Sequence, residues 1–193
     1  AEDNTGTLTV NTDKTIHADA AAVVIVARDL VLNGGINAND GASDVTITAK
    51  ADANITSGGG GGTLGITTGE MAAIRANILD LNTTNLGSIS LENPGDITTV
   101  ANSAAIVSLD SSNDITISSS FKAKGLTMSA VDDLDIQADL TTTVGSILLE
   151  VDNGAGGGNS FTISDGVVID SADNITITQN ATTLVFGGAL KLR

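Results

Sequence analysis

The chain reads Gly87-Ser-Ile-Ser-Leu-Glu-Asn93 and then restates that pattern five times before Asp139. The five restatements are Gly95-Asp-Ile-Thr-Thr-Val-Ala-Asn102, Ala105-Ile-Val-Ser-Leu-Asp-Ser111, Asn113-Asp-Ile-Thr-Ile-Ser118, Lys124-Gly-Leu-Thr-Met-Ser129 and Asp132-Asp-Leu-Asp-Ile-Gln-Ala-Asp139. In each, one or two turn residues precede an alternation of apolar and small polar residues. The alternation predicts strands about five residues long with one buried face, closed by Asn, Asp, Gly or Ser.

The spacing of these strands predicts a solenoid. One series is Ile97, Ile115 and Leu134, with Ile175 farther along the chain; a second is Ile89, Val107, Leu126 and Ile147. Neighbouring members of each series lie roughly 18–21 residues apart, and Ile175 lies about three such steps beyond Ile115. A period of roughly 19–20 residues that holds two or three short strands is typical of stacked rungs, none of which can bury its apolar face alone.

The length of 193 residues fits one elongated domain spanning residues 1–193. Each rung of a solenoid contacts only its neighbours, so such a domain has no natural size limit. Division by the period gives about nine or ten rungs. At roughly 4.8 Å for each stacked strand, the predicted solenoid is about 45 Å long.

Composition supports a narrow all-β interior. Hydrophobic residues make up 41% of the chain but aromatic residues only 2%, and Trp, Tyr and Cys are absent. Small aliphatic and β-branched side chains suit an interior in which like positions stack on one another. The lack of Cys excludes disulfides, structural thiolate metal sites and thiol catalysis.

The charge balance excludes several kinds of partner. The net charge is −15 with only eight Lys and Arg residues, so the chain lacks the basic stripe and the stacking aromatics that nucleic-acid binding needs. An anionic membrane surface is disfavoured for the same reason, and no run of 18 apolar residues predicts membrane insertion. An acidic surface of this kind can attract divalent cations or basic partners.

Four local features stand apart from the repeat. The apolar run Val23–Ala27 predicts a strand buried on both sides or, alternatively, the start of a helix, and residues 22–27 are the best candidate for a lateral contact. A turn or two of helix is predicted near Thr68–Arg75. The glycines at 58–62 lack the Lys-Ser/Thr of a phosphate-binding loop and indicate a flexible excursion. His17, the only histidine, is predicted to be a loop or surface residue.

Two stretches resemble a known family. One is Asp29-Leu-Val-Leu-Asn-Gly-Gly-Ile-Asn-Ala38 with Asp44-Val-Thr-Ile-Thr-Ala49; the other is Gly65-Ile-Thr-Thr-Gly-Glu-Met-Ala-Ala-Ile-Arg-Ala-Asn-Ile-Leu-Asp-Leu81 with the turns that begin at Gly87 and Gly95. They are similar to the repeat units of filamentous haemagglutinin-like exoproteins of the two-partner secretion class. The similarity is diffuse, covers most of the chain and carries no catalytic signature.

The resemblance implies a right-handed parallel β-helix that is secreted and displayed at the cell surface as a fibre or adhesin shaft. The chain begins at Ala1 and shows no recognisable amino-terminal secretion module. We therefore expect a processed or internal segment of such a protein, or a relative that is exported differently.

Few residues carry candidate chemistry, and no catalytic residue or bound cofactor is predicted. The densest carboxylate cluster, Asp132, Asp133, Asp135 and Asp139, is a weak Ca²⁺ candidate, because its spacing matches no calcium-binding loop and suits a solvated acidic face. Four Asn-x-Ser/Thr sequons, at Asn54, Asn82, Asn174 and Asn180, are possible glycosylation sites.

The sequence therefore predicts a structural protein and not an enzyme. One version is a subunit that polymerises end to end, since uncapped solenoid ends expose strand edges; the other is the shaft segment of a longer adhesin with cell-surface ligands. The alternative is a carbohydrate-binding or carbohydrate-cleaving β-helix. That alternative needs aromatic platforms, for which the chain offers only Phe121, Phe161 and Phe186.

Overall fold

The computed structural model describes residues 6–50, 53–57, 64–98, 103–151, 159–179, 183–188 and 191–192. Strands dominate these residues, and every pair of neighbouring strands runs parallel. The predicted all-β class is confirmed, and the long parallel sheets are compatible with a parallel β-helix. The glycines at 58–62 lie outside the described residues.

The described strands are short. They are β1 Thr7–Val10, β2 Thr15–Ala18, β3 Val23–Ala27, β4 Asp29–Leu32, β5 Gly35–Ala38, β6 Val45–Ala49, β7 Ile55–Ser57, β8 Leu64–Gly65, β9 Ile74–Arg75, β10 Ile78–Asn82, β11 Ile89–Leu91, β12 Gly95–Asp96, β13 Ile106–Ser111, β14 Ile115–Ile117, β15 Phe121–Ala123, β16 Leu126–Ala130, β17 Leu134–Ile136, β18 Leu140–Thr142, β19 Ile147–Val151, β20 Ser160–Ile163, β21 Val168–Asp170, β22 Ile175–Gln179, β23 Thr183–Phe186 and β24 Lys191–Leu192. A helix, α1, covers Thr68–Ala72, and a 3₁₀ turn covers Asn39–Gly41.

These strands form three long sheets and two small ones. Sheet I is ordered β3-β6-β10-β13-β16-β19-β22, sheet II β8-β7-β11-β14-β17-β20-β23 and sheet III β12-β15-β18-β21-β24; sheet IV is β1-β4 and sheet V β2-β5-β9. From β13 onward the chain gives one strand to sheet I, the next to sheet II and the next to sheet III, and then starts again. Each strand thus pairs with the strand three elements later.

The alternation of apolar and polar residues decides which side chains are buried. In sheet I, Val107 pairs with Leu126 and Leu126 with Ile147, and all three are at most 1% exposed. Their neighbours Ser108 and Thr127 pair with each other on the outer face and are only half-buried. A slip of one residue would reverse the two faces, so the alternation also fixes the register. These buried columns join in one hydrophobic core.

The predicted spacing is right for only part of the chain. Val107, Leu126 and Ile147 do form a column, but Ile89 pairs with Ile115 in sheet II and not with Val107. The other series also mixes sheets: Ile97 follows β12 of sheet III, Leu134 pairs with Ile115 in sheet II, and Ile175 pairs with Ile147 in sheet I.

The intervals between paired residues also vary more than predicted. The step from Val107 to Leu126 fits the predicted period, whereas the step from Ile147 to Ile175 is almost half as long again. Val45 and Leu79, which pair between β6 and β10, are separated by a longer stretch still. The corners between strands therefore differ in length, and a fixed period does not hold along the whole chain.

The longest of these three intervals, between Val45 and Leu79, contains the predicted helix, which is confirmed as α1. Strand β8 follows β7 in sequence but pairs with it on the side away from β11, and β4 lies against β8. The helix then starts with a capping box: Thr67 accepts a bond from the backbone of Glu70, and the Glu70 side chain accepts one from the backbone of Thr67.

The apolar run Val23–Ala27 forms β3, but it is not buried on both sides. Val23, Ile25 and Ala27 point into the core, whereas Val24 and Val26 are 68% and 60% exposed. Among the described strands β3 pairs only with β6, so it is an edge of sheet I. A lateral contact at these valines stays a prediction.

Candidate functional surface

The predicted acidic cluster is spread over two corners and one strand. Asp132 and Asp133 precede β17, Asp135 lies within it, and Asp139 precedes β18. The Oδ1 atom of Asp133 accepts bonds from the Ser160 backbone N–H (2.7 Å) and hydroxyl (3.0 Å). Asp139 Oδ1 accepts a bond of 2.8 Å from the Val168 N–H. Both carboxylates thus tie their strand to the next strand of the same sheet.

The other two residues of this cluster make different bonds. Asp135 Oδ2 accepts a 2.6 Å bond from Gln137 Nε2 on the outer face of sheet II. Asp132 has its backbone N–H bonded to the carbonyl of Asn113 at 3.0 Å. Among the residues that the structure describes, no three His, Cys, Asp or Glu side chains are arranged to hold a metal ion. The Ca²⁺ hypothesis therefore has no assembled set of ligands in the described part of the chain.

The bond made by Asp133 recurs at other strand starts. Asp114 Oδ1 accepts a bond from the Asp133 N–H at 3.2 Å, so Asp114, Asp133 and Ser160 form a relay across three strands of sheet II. Asn54 Oδ1 accepts from the Ser88 N–H at 2.9 Å. Each acceptor sits one residue before the first apolar residue of its strand. An Asp or Asn directly before the first apolar residue of a strand is therefore the sequence signal for a side chain that accepts a backbone N–H bond from the next strand.

These bonds satisfy backbone N–H groups where strands begin. Bonds to a charged acceptor contribute about 1.5–3 kcal/mol each, more than bonds between neutral groups. Asp44, just before β6 of sheet I, does the same for the N–H of Ile78, at 3.1 Å. The acidic residues of this chain are therefore in part structural, because they join successive strands at the corners.

Three of the four sequons can be placed. Asn54 and Asn174 are exposed, and Asn82 is half-buried on the outer face of β10, where its Nδ2 donates to Asp80 Oδ2 at 2.8 Å. Asn180 lies outside the described residues. Asn54 already uses Oδ1 as an acceptor for Ser88, whereas Asn174 Nδ2 donates to Asp173 at 3.0 Å. Glycosylation at these positions stays a prediction.

The outer face of sheet I carries carboxylates close to one another. Partial burial raises the pKa of Asp80. The hydrogen bond from Asn82 acts in the opposite direction and lowers that pKa, whereas the negative charge of Asp110 adds to the rise. Burial likewise raises the pKa of Asp110, with a further contribution from the charge of Glu150. The register places Asn82 beside Asp110 and Ser129 beside Glu150. Burial and neighbouring negative charge on this face therefore favour the protonated forms of Asp80 and Asp110.

The outer face of sheet III carries an ion pair between neighbouring strands. Lys122 Nζ lies 2.9 Å from Asp96 Oδ2, and the hydroxyl of Thr98 donates to Asp96 Oδ1 at 2.6 Å. The bond from Thr98 is the main reason that the pKa of Asp96 is lowered, followed by Lys122. The pair links β12 to β15 on an exposed surface.

His17 lies on the surface, as predicted, but in strand β2 and not in a loop. Its register partner is Asn37, whose own partner is Arg75, so the three residues form a row on the outer face of sheet V. His17 Nε2 lies 2.7 Å from Asp19, and Arg75 Nη1 lies 3.0 Å from Asp40. The bond from Asn37, followed by the charge of Arg75, lowers the pKa of Asp40.

Two of the three phenylalanines are buried and therefore offer no exposed ring on which a sugar could stack. Phe121 and Phe161 are 1% and 0% exposed and belong to the core. Phe186 is 42% exposed, but it lies in β23, which among the described strands is an edge of sheet II. Stacking of a sugar ring on an exposed aromatic face is therefore restricted to one end of that sheet.

No protein-family model, curated protein or solved structure matches this chain. Among the described residues, no helix has the length and apolar character needed to span a membrane.

Proposed function

We propose that this chain is a stiff extracellular β-solenoid rod, in which the three long sheets are the faces of a right-handed parallel β-helix. The observation that carries the proposal is the rotation of successive strands through sheets I, II and III from β13 to β24. A chain that returns to the same three sheets in order, always parallel, advances by one strand spacing in each turn.

In this proposal the seven strands of sheet I mark seven rungs. Six steps of roughly 4.8 Å separate them, which gives about 29 Å of rod. Strands β1 and β2 precede β3 and pair with β4 and β5, so they add a partial rung before it. This is fewer than the nine or ten rungs expected from the period, because several corners are longer than the period allows.

The stiffness has a physical origin in the direction of the hydrogen bonds. Backbone bonds between parallel strands run along the rod, as do the side-chain bonds from Asp114 to Asp133 and from Asp133 to Ser160. Bending the rod would stretch these bonds on one side, and the close-packed interior resists compression on the other. Such a rod serves as a spacer or fibre.

The rod fits either a segment of an adhesin shaft or a filament subunit, both of which act outside the cell. The resemblance to filamentous haemagglutinin-like repeats supports the shaft and the extracellular location. Among the described strands, β22 and β23 end sheets I and II, which supports association with further strands, either of the same polypeptide or of another copy.

Paired cysteines test the proposal, because outer-face register partners on neighbouring rungs lie within reach of a disulfide and the native chain has no Cys. The variants Thr116→Cys/Asp135→Cys in sheet II and Lys122→Cys/Thr141→Cys in sheet III should each form an intramolecular disulfide on mild oxidation. Negative-stain microscopy of the native chain, with and without Ca²⁺, should show fibres of constant width if the chain is a filament subunit. Failure of both cysteine pairs to cross-link in the folded monomer would overturn the proposal.

A further inference from the structure

The strands of sheets V and III occupy equivalent positions along the chain. From β3 to β22, the strand before each strand of sheet I belongs to sheet V or sheet III: β9 precedes β10, and β12 precedes β13. Sheet I runs unbroken through these turns, because β6 pairs with β10 and β10 with β13. Among the described strands, however, β9 pairs only with β5 and β12 only with β15. Sheets V and III therefore stop on either side of one place in the rod.

A second interruption lies close to the first. Strand β4 belongs to sheet IV and lies against β8 of sheet II, but the described strands of these two sheets share no ladder. Strand β8 leads into α1, and α1 leads into β9. Two of the three sides of the rod thus lack a continuous ladder near α1. Between later turns all three sides are paired, through β13 and β16, β14 and β17, and β15 and β18.

Side chains of α1 bond to the chain at both interruptions. Glu70 Oε1 accepts a 2.8 Å bond from the Leu32 N–H in β4, on the sheet IV side of one interruption. Thr68 Oγ1 donates a 2.9 Å bond to the carbonyl of Asn93, just before β12 on the sheet III side of the other. The capping box of Thr67 and Glu70 fixes the helical turn that carries both side chains.

The helix also contributes to the core at this place. Met71 is 0% exposed and Ala72 8%, and both belong to the hydrophobic core, as does Ile97, which follows β12. Gly95, at φ +63°, lies directly against Thr68, since a Cβ there would come within 3.1 Å of the Thr68 methyl group. A helix of five residues is not stable by itself, so these bonds and contacts hold it in place.

We propose that α1 is a strap that closes a joint in the rod, and that the joint opens locally while the sheets on both sides stay folded. This inference rests on the proposed rod. The stability of a solenoid is approximately a sum of contributions from each rung and from each contact between neighbouring rungs, so the contact with the fewest ladders opens most readily. Opening releases the bonds of Glu70 and Thr68 and exposes Met71 and Ile97. The rod then bends at one defined place and stays stiff elsewhere.

Thiol labelling tests the joint, because the native chain has no Cys and a buried thiol reacts only when its surroundings open. Met71→Cys and Ile97→Cys place one reporter in the strap and one in the chain after β12. The matched controls are Met128→Cys in β16 and Ile115→Cys in β14, which like the reporters replace residues that are 0% exposed. Circular dichroism checks that each variant is folded.

Both reporters should be labelled at least about tenfold faster than their controls, and at similar rates to each other. Adding Thr68→Val keeps the shape of the side chain but removes its bond to Asn93. It should speed the labelling of both reporters about two- to tenfold and leave both controls unchanged. Adding Thr141→Val instead, on the outer face of β18, should change neither reporter.

Hydrogen exchange of the native chain gives a second measurement in case a cysteine variant does not fold. The N–H groups of Ala73 and Val107 both make backbone bonds of 3.0 Å, to the carbonyls of Gly69 and Gly125. Ala73 should exchange at least about tenfold faster than Val107, since it lies at the end of the strap.

Equal labelling of reporters and controls would overturn the proposal, as would equal exchange of Ala73 and Val107. Fast labelling of Met71→Cys without fast labelling of Ile97→Cys would also overturn it, because the helix would then fray without opening a joint. The cysteine pairs in sheets II and III test the rod separately. If those disulfides form and the joint does not open, the rod stands and only the strap is removed.

Discussion

The Oε1 atom of Glu70 accepts a 2.8 Å hydrogen bond from the backbone N–H of Leu32, which lies 38 residues earlier in the chain. The other oxygen of the same carboxylate accepts from the backbone N–H and the hydroxyl of Thr67, at 2.8 and 2.9 Å. One side chain thus caps helix α1 and also satisfies a backbone group of β4, where Leu32 is only 6% exposed.

Replacing Glu70 with Ala should destabilise the protein by about 2–4 kcal/mol, because it removes a cap and leaves the Leu32 N–H without its acceptor. Urea unfolding followed by circular dichroism measures the change. Glu92→Ala is the control, since Glu92 is exposed in the corner after β11. Equal stability of the two variants would show that the bond between Glu70 and Leu32 contributes nothing.

Replacing Ile117 with Asp should disrupt the core, because Ile117 is 0% exposed and a carboxylate there would be buried without a partner. We expect a loss above about 4 kcal/mol, near the limit that the fold can tolerate. Thr116→Asp, on the outer face of the same strand, is the control and should cost less than about 1 kcal/mol.

Ile177→Asp should cost less than Ile117→Asp, because Ile177 is only partly buried in the edge strand β22. Thermal melts of the three variants rank them. An unchanged melting curve for Ile117→Asp would contradict the inward orientation of β14.

The strands could be predicted from sequence because their signal is local. In β16, Leu126, Met128 and Ala130 alternate with polar residues, and that alternation alone determines which residues are buried. Which sheet a strand joins depends instead on the lengths of the corners. The segment between Val45 and Leu79 holds β7, β8, α1 and β9, and no period read from the regular part of the chain accounts for them.

The bonding partners of the acidic residues could not be predicted for the same reason. Asp133 and Asp139 are close in sequence, which suggested a shared ion, but β17 separates them and places them at different corners. Their actual partners, Ser160 and Val168, lie 27 and 29 residues later. A local pattern does not contain the pairing of strands that brings these residues together.

Replacing Asp133 with Ala should destabilise the protein by about 1–3 kcal/mol, since the N–H and hydroxyl of Ser160 both lose their acceptor. Asp133→Asn keeps an Oδ1 acceptor in the same position and should recover most of that stability. Melting temperatures of the two variants, with and without Ca²⁺, distinguish the structural role from ion binding. A Ca²⁺-dependent rise in the melting temperature that both variants abolish would instead support a calcium site.

Replacing Asp80 with Asn should stabilise the protein at neutral pH, because partial burial raises the pKa of Asp80 above its usual 3.8 and thereby disfavours the ionised form in the folded state. The gain should be small, a few tenths to about 1 kcal/mol, since Asp80 is half-exposed and water screens its charge. In the wild type, the folded state binds this proton more readily than the unfolded state, so the penalty disappears as the pH falls through the raised pKa. The advantage of Asp80→Asn should therefore shrink over that range.

Asp96→Asn is the matched control with the opposite sign. The pKa of Asp96 is lowered by Thr98 and Lys122, so its ionised form stabilises the fold at neutral pH, and that contribution is lost as the pH falls through the lowered pKa. Asp96→Asn should lower the melting temperature at pH 7 and make little difference in strong acid. Melting curves from pH 3 to pH 8 test both variants together. A lower melting temperature for Asp80→Asn than for wild type at pH 7 would show that the bond from Asn82 outweighs burial at this position.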